Sequence, residues 1–256
     1  MSGVKPDWLF DRRAFRSTEL LTPTYLKPHD QNIAGLAGEH SRYDTKNRRP
    51  TPQAIVEAVT IELERILPSI DAVLIMDQVE ISECGVVTST LRDRVAELAC
   101  RFSKVIFWAD SRRHIRLFRN TMIKANQFEA IHQLNPAVGE EVTLDKLRRV
   151  IPQIRSENRA PVFVTCGERG ILVSDPEVTL VPGVNVAGPI DPTGAGDSAS
   201  AGAVMSLCSG ASPAEAALVA NLVASVTVQQ LGTTGTATPN QVNAALSIWK
   251  AQHPSG

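Results

Sequence analysis

The sequence predicts an α/β fold, a largely parallel sheet with helices on its faces. Three observations carry that expectation. Short apolar runs ending in an acid or a threonine, such as Ala72-Val73-Leu74-Ile75-Met76-Asp77, read as strands buried on both faces. Stretches with apolar residues at helical spacing alternate with them. A glycine-rich loop, Asp191-Pro192-Thr193-Gly194-Ala195-Gly196-Asp197-Ser198, runs into a block of small residues, Ala199 to Ala203, that reads as a tightly packed helix.

Residues 1–50 are poorly periodic and rich in Pro, Arg, Asp and His, with one strand-like piece at Thr24-Tyr25-Leu26. From Thr51 the pattern changes. Pro52 suits a first helical position, and Ile55, Val59, Leu63 and Ile66 follow on one face. The strand Ala72 to Asp77 comes next, then a helix from Leu91 to Phe102 and a strand from Lys104 to Asp110. Leu144, Leu147, Ile151 and Ile154 mark a helix that the interior Pro152 is expected to kink or end. Pro161 to Thr165 is a strand, and Ile171-Leu172-Val173 another after a glycine turn. Ser212-Pro213-Ala214-Glu215 and Thr238-Pro239-Asn240-Gln241 are helix starts, each with a capping box and Pro in the first turn. Asp77, Asp110 and Thr165 all fall at strand ends. In parallel sheets ligands bind there, so the three point to one rim.

Composition sets bounds. The chain has 256 residues, enough for one large domain or two small ones, and 43% are hydrophobic. A net charge of -1 gives no basis for a nucleic-acid or membrane-surface partner. For the pairs Arg48-Arg49 and Arg112-Arg113, solvated surface and a hold on an anionic substrate both stay open. The cysteines form no CxxC pair and have no zinc spacing; Cys100, Cys166 and Cys208 read as small core residues. A reducing cytoplasm is the simplest compartment. No apolar run approaches the ~18 residues that span a bilayer, and the charged start, Met1 to Arg13, is not a secretory signal.

The glycine loop is the most informative segment. Gly194 and Gly196 let backbone N–H groups turn inward at a helix start, where the helix dipole also favours an anion. A carboxylate beside that seat, Asp197, can take a proton from an attacking hydroxyl. Phosphoryl transfer needs this combination of donors and base. A bare GxGD is more often just a helix start capped by Asp. The loop lacks the GK[ST] ending of a Walker A motif and is not the GxGxxG dinucleotide fingerprint.

D-x-x-G-A-G-D at a helix start resembles the signature of the PfkB/ribokinase family of sugar kinases, and further motifs follow in family order. Lys124-Ala125-Asn126-Gln127-Phe128-Glu129 is similar to the N-x-x-E segment. The resemblance implies that Lys124 and Asn126 contact nucleotide and that Asn126 and Glu129 organise Mg²⁺ through water; alone, the pair would be a surface i,i+3 pair. Thr165-Cys166-Gly167-Glu168-Arg169-Gly170 is similar to the T-x-G-x-x-G turn and implies nucleotide contacts at Thr165, Gly167 and Gly170. Asn221 matches a position near the adenine. Leu231-Gly232-Thr233-Thr234-Gly235-Thr236 matches a loop bordering the nucleotide and a monovalent-cation site. It implies a nucleotide contact at Gly232 and a K⁺ site of Asp191, Thr193 and Thr236, with a simple loop cap as the alternative for Asp191. Asp77-Gln78-Val79, Gly85-Val86-Val87-Thr88 and Ala109-Asp110-Ser111-Arg112 resemble the heptose kinase module in particular.

The resemblance implies a ribokinase-like three-layer α/β/α sandwich with a mostly parallel sheet. It also implies an ATP-dependent transfer to a sugar or sugar-phosphate hydroxyl, with Asp197 as base and Gly194, Ala195 and Gly196 as the anion hole. ATP and Mg²⁺ are the expected cofactors, with K⁺ if its site is kept. The family's opening strand with a sugar-gripping acid and its Gly-Gly pair have no match, and Asn32 to Gly38 is a poor substitute. The expectation is therefore a chain lacking its N-terminal portion: 1–50 a remnant of the lid and lead-in, 51–256 the nucleotide-binding and catalytic domain. A homodimer or a missing N-terminal half is the protein partner this leaves open. A catalytically inactive nucleotide-binding remnant, serving as a regulatory or interaction subunit, is the rival reading; a nucleoside kinase differs only in substrate.

Overall fold

The computed structural model describes residues 17–33, 35–133 and 135–254. A small antiparallel pair comes first, β1 (Thr24–Leu26) with β2 (Tyr43–Thr45). The strand-like piece at Thr24 is thus a strand; its partner, with every residue exposed, has no apolar pattern to announce it.

The main sheet has six strands in sequence order: β3 (Ala72–Asp77), β4 (Ile106–Ser111), β5 (Met122–Asn126), β6 (Val162–Thr165), β7 (Ile171–Ser174) and β8 (Val178–Val181). β3 to β6 run parallel; β7 and β8 return antiparallel. The helices are α1 (Gln53–Ile66), α2 (Ser89–Arg101), α3 (Gln127–Ala130), α4 (Leu144–Asn158), α5 (Ala195–Cys208), α6 (Pro213–Thr227) and α7 (Pro239–Gln252). No helix among the described residues is long and apolar enough to cross a membrane.

Strand side chains alternate between faces, and that period assembles the layers. Phe107, Ala109, Ile123, Ala125, Val162 and Val164 face one side, against Val56 of α1, Val95 of α2 and Ile151 of α4. Trp108 and Phe163, one residue out of phase, face the other, against Ala199 and Ala203 of α5 and Ala216 of α6. α7 packs outside α6, with Ala245 against Leu222 and Val226. The result is the expected three-layer sandwich. The small-residue run of α5 has a packing reason: a Cβ on Gly202 would stand 3.0 Å from Val223 Cγ2, so α5 and α6 close only where that side chain is missing.

Some expectations change. α4 continues six residues past Pro152 and ends at Asn158, with Arg159 left-handed at φ 66. Tertiary burial of Leu147, Ile151 and Ile154 holds the helix through the proline. Cys100 and Cys208 are exposed rather than in the core, while Cys84 is buried along with Cys166. On α2 the buried stripe is Leu91, Val95 and Leu98, and Cys100 falls off it; Cys208 ends α5. β5 and β8 are strands that the sequence pattern does not single out.

The carboxyl ends of the parallel strands form one rim at Asp77, Ser111, Asn126 and Thr165. Beside it, Gly170 links β6 to β7 at φ +99, and a Cβ there would lie 2.1 Å from the Val181 carbonyl oxygen. Gly170→Ala should therefore destabilise the fold by roughly 3 kcal/mol, from backbone strain and overpacking together. A urea midpoint equal to wild type would contradict this steric account.

Candidate active site

The start of α5 faces the rim. Gly194 is its N-cap, left-handed at φ 76, a conformation that favours glycine. Ser198 N–H closes the first turn on the Gly194 carbonyl at 2.9 Å, and Ala195 N–H is taken by the Pro192 carbonyl at 3.1 Å. The N–H groups of Gly196 and Asp197 sit between these and have no carbonyl behind them in the helix. Of the three expected anion-hole positions, Gly196 thus offers a free donor, Ala195 is engaged in the turn, and Gly194 shapes the loop.

Asp191 holds this loop. One carboxylate oxygen accepts from Thr193 N–H at 2.9 Å and the other from Gly232 N–H at 3.0 Å. The Thr193 side chain first, and then these two N–H groups, keep its carboxyl below the usual range against the effect of burial. Asp191, Thr193 and Gly232 do come together, as a loop cap. The backbone N–H and carbonyl of Thr236 both bond the Gln230 side chain.

Beneath the α5 start lies a buried ion pair. Lys124 and Asp110 are opposite one another on β5 and β4, and Lys124 Nζ stands 2.5 Å from Asp110 Oδ2. A Cβ on Gly196 would come within 3.2 Å of the same Nζ. The ammonium, the helix start and the Asp197 carboxyl therefore share one small space. Asp197 opens to the cleft, yet the low-dielectric walls around it raise its pKa, as does the charge of Asp110, against the pull of Lys124 and Arg112.

Asn126 ends β5 and caps α3. Its side chain accepts from Phe128 and Glu129 N–H, both at 2.9 Å, and Glu129 Oε2 accepts from Asn126 N–H at 2.7 Å. Burial pushes the Glu129 carboxyl up to about 7, although the Asn126 N–H and the Lys124 charge act the other way. The pair is more than a surface pair: it is a closed capping box at the rim. No cluster of three or more His, Cys, Asp or Glu side chains among the described residues could hold a metal ion. A divalent ion here would be held largely by water and phosphate oxygens, the habit of Mg²⁺.

Beside α5 opens a cavity of about 480 Å³, bordered by Thr165, Gly167, Gly170, Ala195, Gly196 and Asn221. This volume suits a small-molecule ligand. Six of the expected site residues thus border one cavity. Asn221 itself donates to the Val181 and Pro182 carbonyls, both at 3.0 Å, and so fixes the segment after β8, which also lines the cavity. That segment, with Val184, Val186 and Ile190, was not singled out from the sequence; the Gly183 and Gly188 turns around it were the available signal.

On the other side of the rim, Asp77 accepts from the Ser111 hydroxyl at 2.6 Å and meets His114 Nδ1 at 3.1 Å, while His114 Nε2 meets Ser82 Oγ at 3.1 Å. This chain fixes the segment after β4. Asp110 and Asp77 were legible as strand-end acids; their partners were not.

Residues 107–241 match the family model described as pfkB family carbohydrate kinase. The chain is 42% identical over 73 residues to inositol 3-kinase of Arabidopsis thaliana, covering 28% of this chain and 20% of that protein. It is 31% identical over 170 residues to bifunctional protein HldE of Caulobacter sp. (strain K31), covering 65% of this chain and 34% of that protein. The chain thus spans well under half the length of the curated relatives it matches. Among solved structures it is similar to ribokinase of Thermotoga maritima, with TM-score 0.61, 20% identity, and coverage of 89% and 70% of the two chains. It is also similar to phosphofructokinase-2 of Escherichia coli in complex with potassium, with TM-score 0.63, 17% identity and the same coverage. At these identities the two structures speak to the fold alone.

Glu129 gives the site a signature in stability. Its carboxyl titrates near 7 when folded, against an ordinary 4.5. Between those values the unfolded chain has lost the proton while the folded chain keeps it. Stability is therefore full below the lower value and falls as pH rises through the window, by about 3 kcal/mol in all. Glu129→Gln stays neutral and keeps an oxygen for the Asn126 N–H. Its advantage over wild type should grow from near zero at pH 4.5 to about that figure at pH 8. Parallel urea midpoints across the window would show that Glu129 is not held protonated by burial.

Proposed function

The chain belongs to the pfkB family of carbohydrate kinases, and from that premise we propose that it transfers the terminal phosphoryl group of ATP to a hydroxyl of a sugar or sugar phosphate. One observation carries the reading. The N-terminus of α5 places a free N–H donor, a carboxyl with a raised pKa and a buried lysine around one point, at the mouth of a cavity sized for a small molecule.

The nucleotide lies in that cavity, its base between the Thr165–Gly170 turn and the wall that Asn221 fixes. Its phosphates reach the α5 start, where the Gly196 and Asp197 N–H groups and the helix dipole favour negative charge. Lys124 Nζ adds a positive charge there, and Asp110 keeps that ammonium in place. Asn126 and Glu129 would hold Mg²⁺ through water, and the ion supplies neutralisation of phosphate charge. Asp191, Thr193 and Gly232 keep the loop shaped for this seat; with both Asp191 oxygens engaged, no step is given to K⁺.

Asp197 accepts the proton of the acceptor hydroxyl. The freed oxygen forms a bond to the terminal phosphorus as the bond between that phosphorus and the departing ADP oxygen breaks. The proton leaves Asp197 for solvent. A raised pKa makes this carboxylate a stronger base than an ordinary aspartate.

Asp197→Asn should reduce sugar-dependent ADP formation by about 10²-fold or more and leave ATP affinity nearly intact. Since the wild-type charge is disfavoured where it stands, the variant should melt no lower than wild type at pH 7. Turnover near the wild-type rate would remove Asp197 from the reaction; a lower melting temperature would recast it as structural. Gly196→Val brings a side chain against Lys124 Nζ in the phosphate seat. ATP affinity should fall sharply by calorimetry with far-UV circular dichroism little changed, and unaltered affinity would place the phosphates elsewhere.

A further inference from the structure

Arg112 has no part in this reaction so far, and its setting is unusual. It follows Ser111 at the end of β4 and so lies on the rim. Its Nε donates to Gln78 Oε1 at 2.7 Å, and its guanidinium lies over the Tyr25 ring, 5.3 Å from the centroid. The Tyr25 hydroxyl in turn donates to the Gln78 carbonyl at 2.9 Å. On either side, Ser111 and His114 are fixed to Asp77. The planar group is therefore held in place from several directions. Its two terminal amino groups nevertheless have no hydrogen-bond acceptor, and no carboxylate pairs with it, among the described residues. A partly buried arginine is ordinarily paired, and its flat fork matches phosphate or carboxylate oxygens two at a time.

The surroundings are cationic as well. Arg42 and Lys46 also lie near the Tyr25 ring, at 5.3 and 5.6 Å. Asp44 takes Arg42 and Lys46, and Glu80 takes Lys46 and Arg113. Four cations thus face two carboxylates, while Asp77 below is occupied by Ser111 and His114. The net positive patch is where the β1–β2 pair meets the rim.

Position says which anion belongs there. The cavity lies along β6, β7 and α6. Arg112 lies on the β3–β4 side, with β5 and its Lys124 between. The base at the α5 start stands between nucleotide and arginine, where an acceptor must lie. The field of Arg112 reaches Asp197 and lowers its pKa against the effect of burial, as expected of a near neighbour.

We propose that Arg112, with Arg42 and Lys46 around the same ring, is an anion subsite for the acceptor, so that the sugar phosphorylated here already carries a phosphate group. This rests on the kinase reading for the acceptor's identity. The charge pattern selects phosphorylated over neutral sugars by affinity rather than by turnover, because Arg112 grips a group remote from the reacting hydroxyl.

Inorganic phosphate tests the subsite without knowledge of the sugar. Calorimetry would measure its binding to the nucleotide-free protein and to protein saturated with a non-hydrolysable ATP analogue, whose terminal phosphate fills the α5 seat. Millimolar phosphate should bind in both states. Arg112→Gln should weaken it about tenfold or more, and Arg112→Lys, which keeps the charge and loses the fork, by less. Affinity for the analogue should be the same in all three proteins. Phosphate binding that vanishes when the analogue is bound would assign the anion to α5 and overturn the proposal. So would binding unchanged in Arg112→Gln, no binding to wild type, or a parallel loss of analogue affinity, which would make Arg112 a nucleotide clamp. Failure of the kinase reading has a separate signature, no binding of the analogue to wild type.

Discussion

The buried pair of Lys124 and Asp110 is the interaction on which the rest of the site depends. Parallel register sets the two residues side by side on β5 and β4, both nearly out of solvent. Such a pair is costly to desolvate, and breaking it by removing one partner leaves a charge buried alone. Its place explains its presence. The ammonium lies directly under the start of α5, itself a region of positive potential. Two positive features brought this close repel unless something negative joins them. Asp110 supplies part of that, Asp197 supplies more, and a bound phosphate would complete it. The same crowding explains Gly196: any side chain there would press on Lys124 Nζ.

The division of labour around this point follows from the sheet. On one side, the antiparallel return of β7 and β8 builds a pocket whose walls are turns and short apolar side chains, a place for a flat base. On the other, the ends of the parallel strands β3 and β4 tie Asp77 to Ser111 and His114 and hold Arg112 on Gln78. The α5 start lies between an apolar slot and a charged shelf. A carboxylate there has its pKa raised by burial and by Asp110, against the pull of Lys124 and Arg112.

Much of this was legible in the sequence, and the limits were physical. Strands of parallel sheets are runs of apolar residues, so Ala72 to Asp77 and Val162 to Thr165 announced themselves with their rim ends. Val162 to Val164 are buried, whereas the expected burial of Ala72 to Asp77 on both faces fails at the sheet edge, where Leu74 is 44% exposed. Helix starts announced themselves through local chemistry: Ser212 with Glu215 and Thr238 with Gln241 form the capping boxes their spacing implied. The Asn126 and Glu129 capping box was hidden, because three residues apart at a strand end also describes an ordinary surface pair. β5 carries Lys124 in its middle, and only the register reveals the partner that lets a lysine sit in a buried strand. Pro152 misled because tertiary burial outweighed its local preference. Asp77, His114 and Ser82, and likewise Tyr25, Gln78 and Arg112, are joined across loops and strands whose pairing no local pattern encodes.

The central claim is that proton transfer to Asp197 at the α5 start limits the reaction at low pH. The pH dependence of kcat/KM tests it most directly, measured for phosphoryl transfer in the wild-type protein at saturating Mg²⁺. The account predicts a single-proton acid limb with its midpoint above the ordinary aspartate value of about 3.9. A limb at or below that value, or a flat profile down to the onset of acid unfolding, would contradict the account.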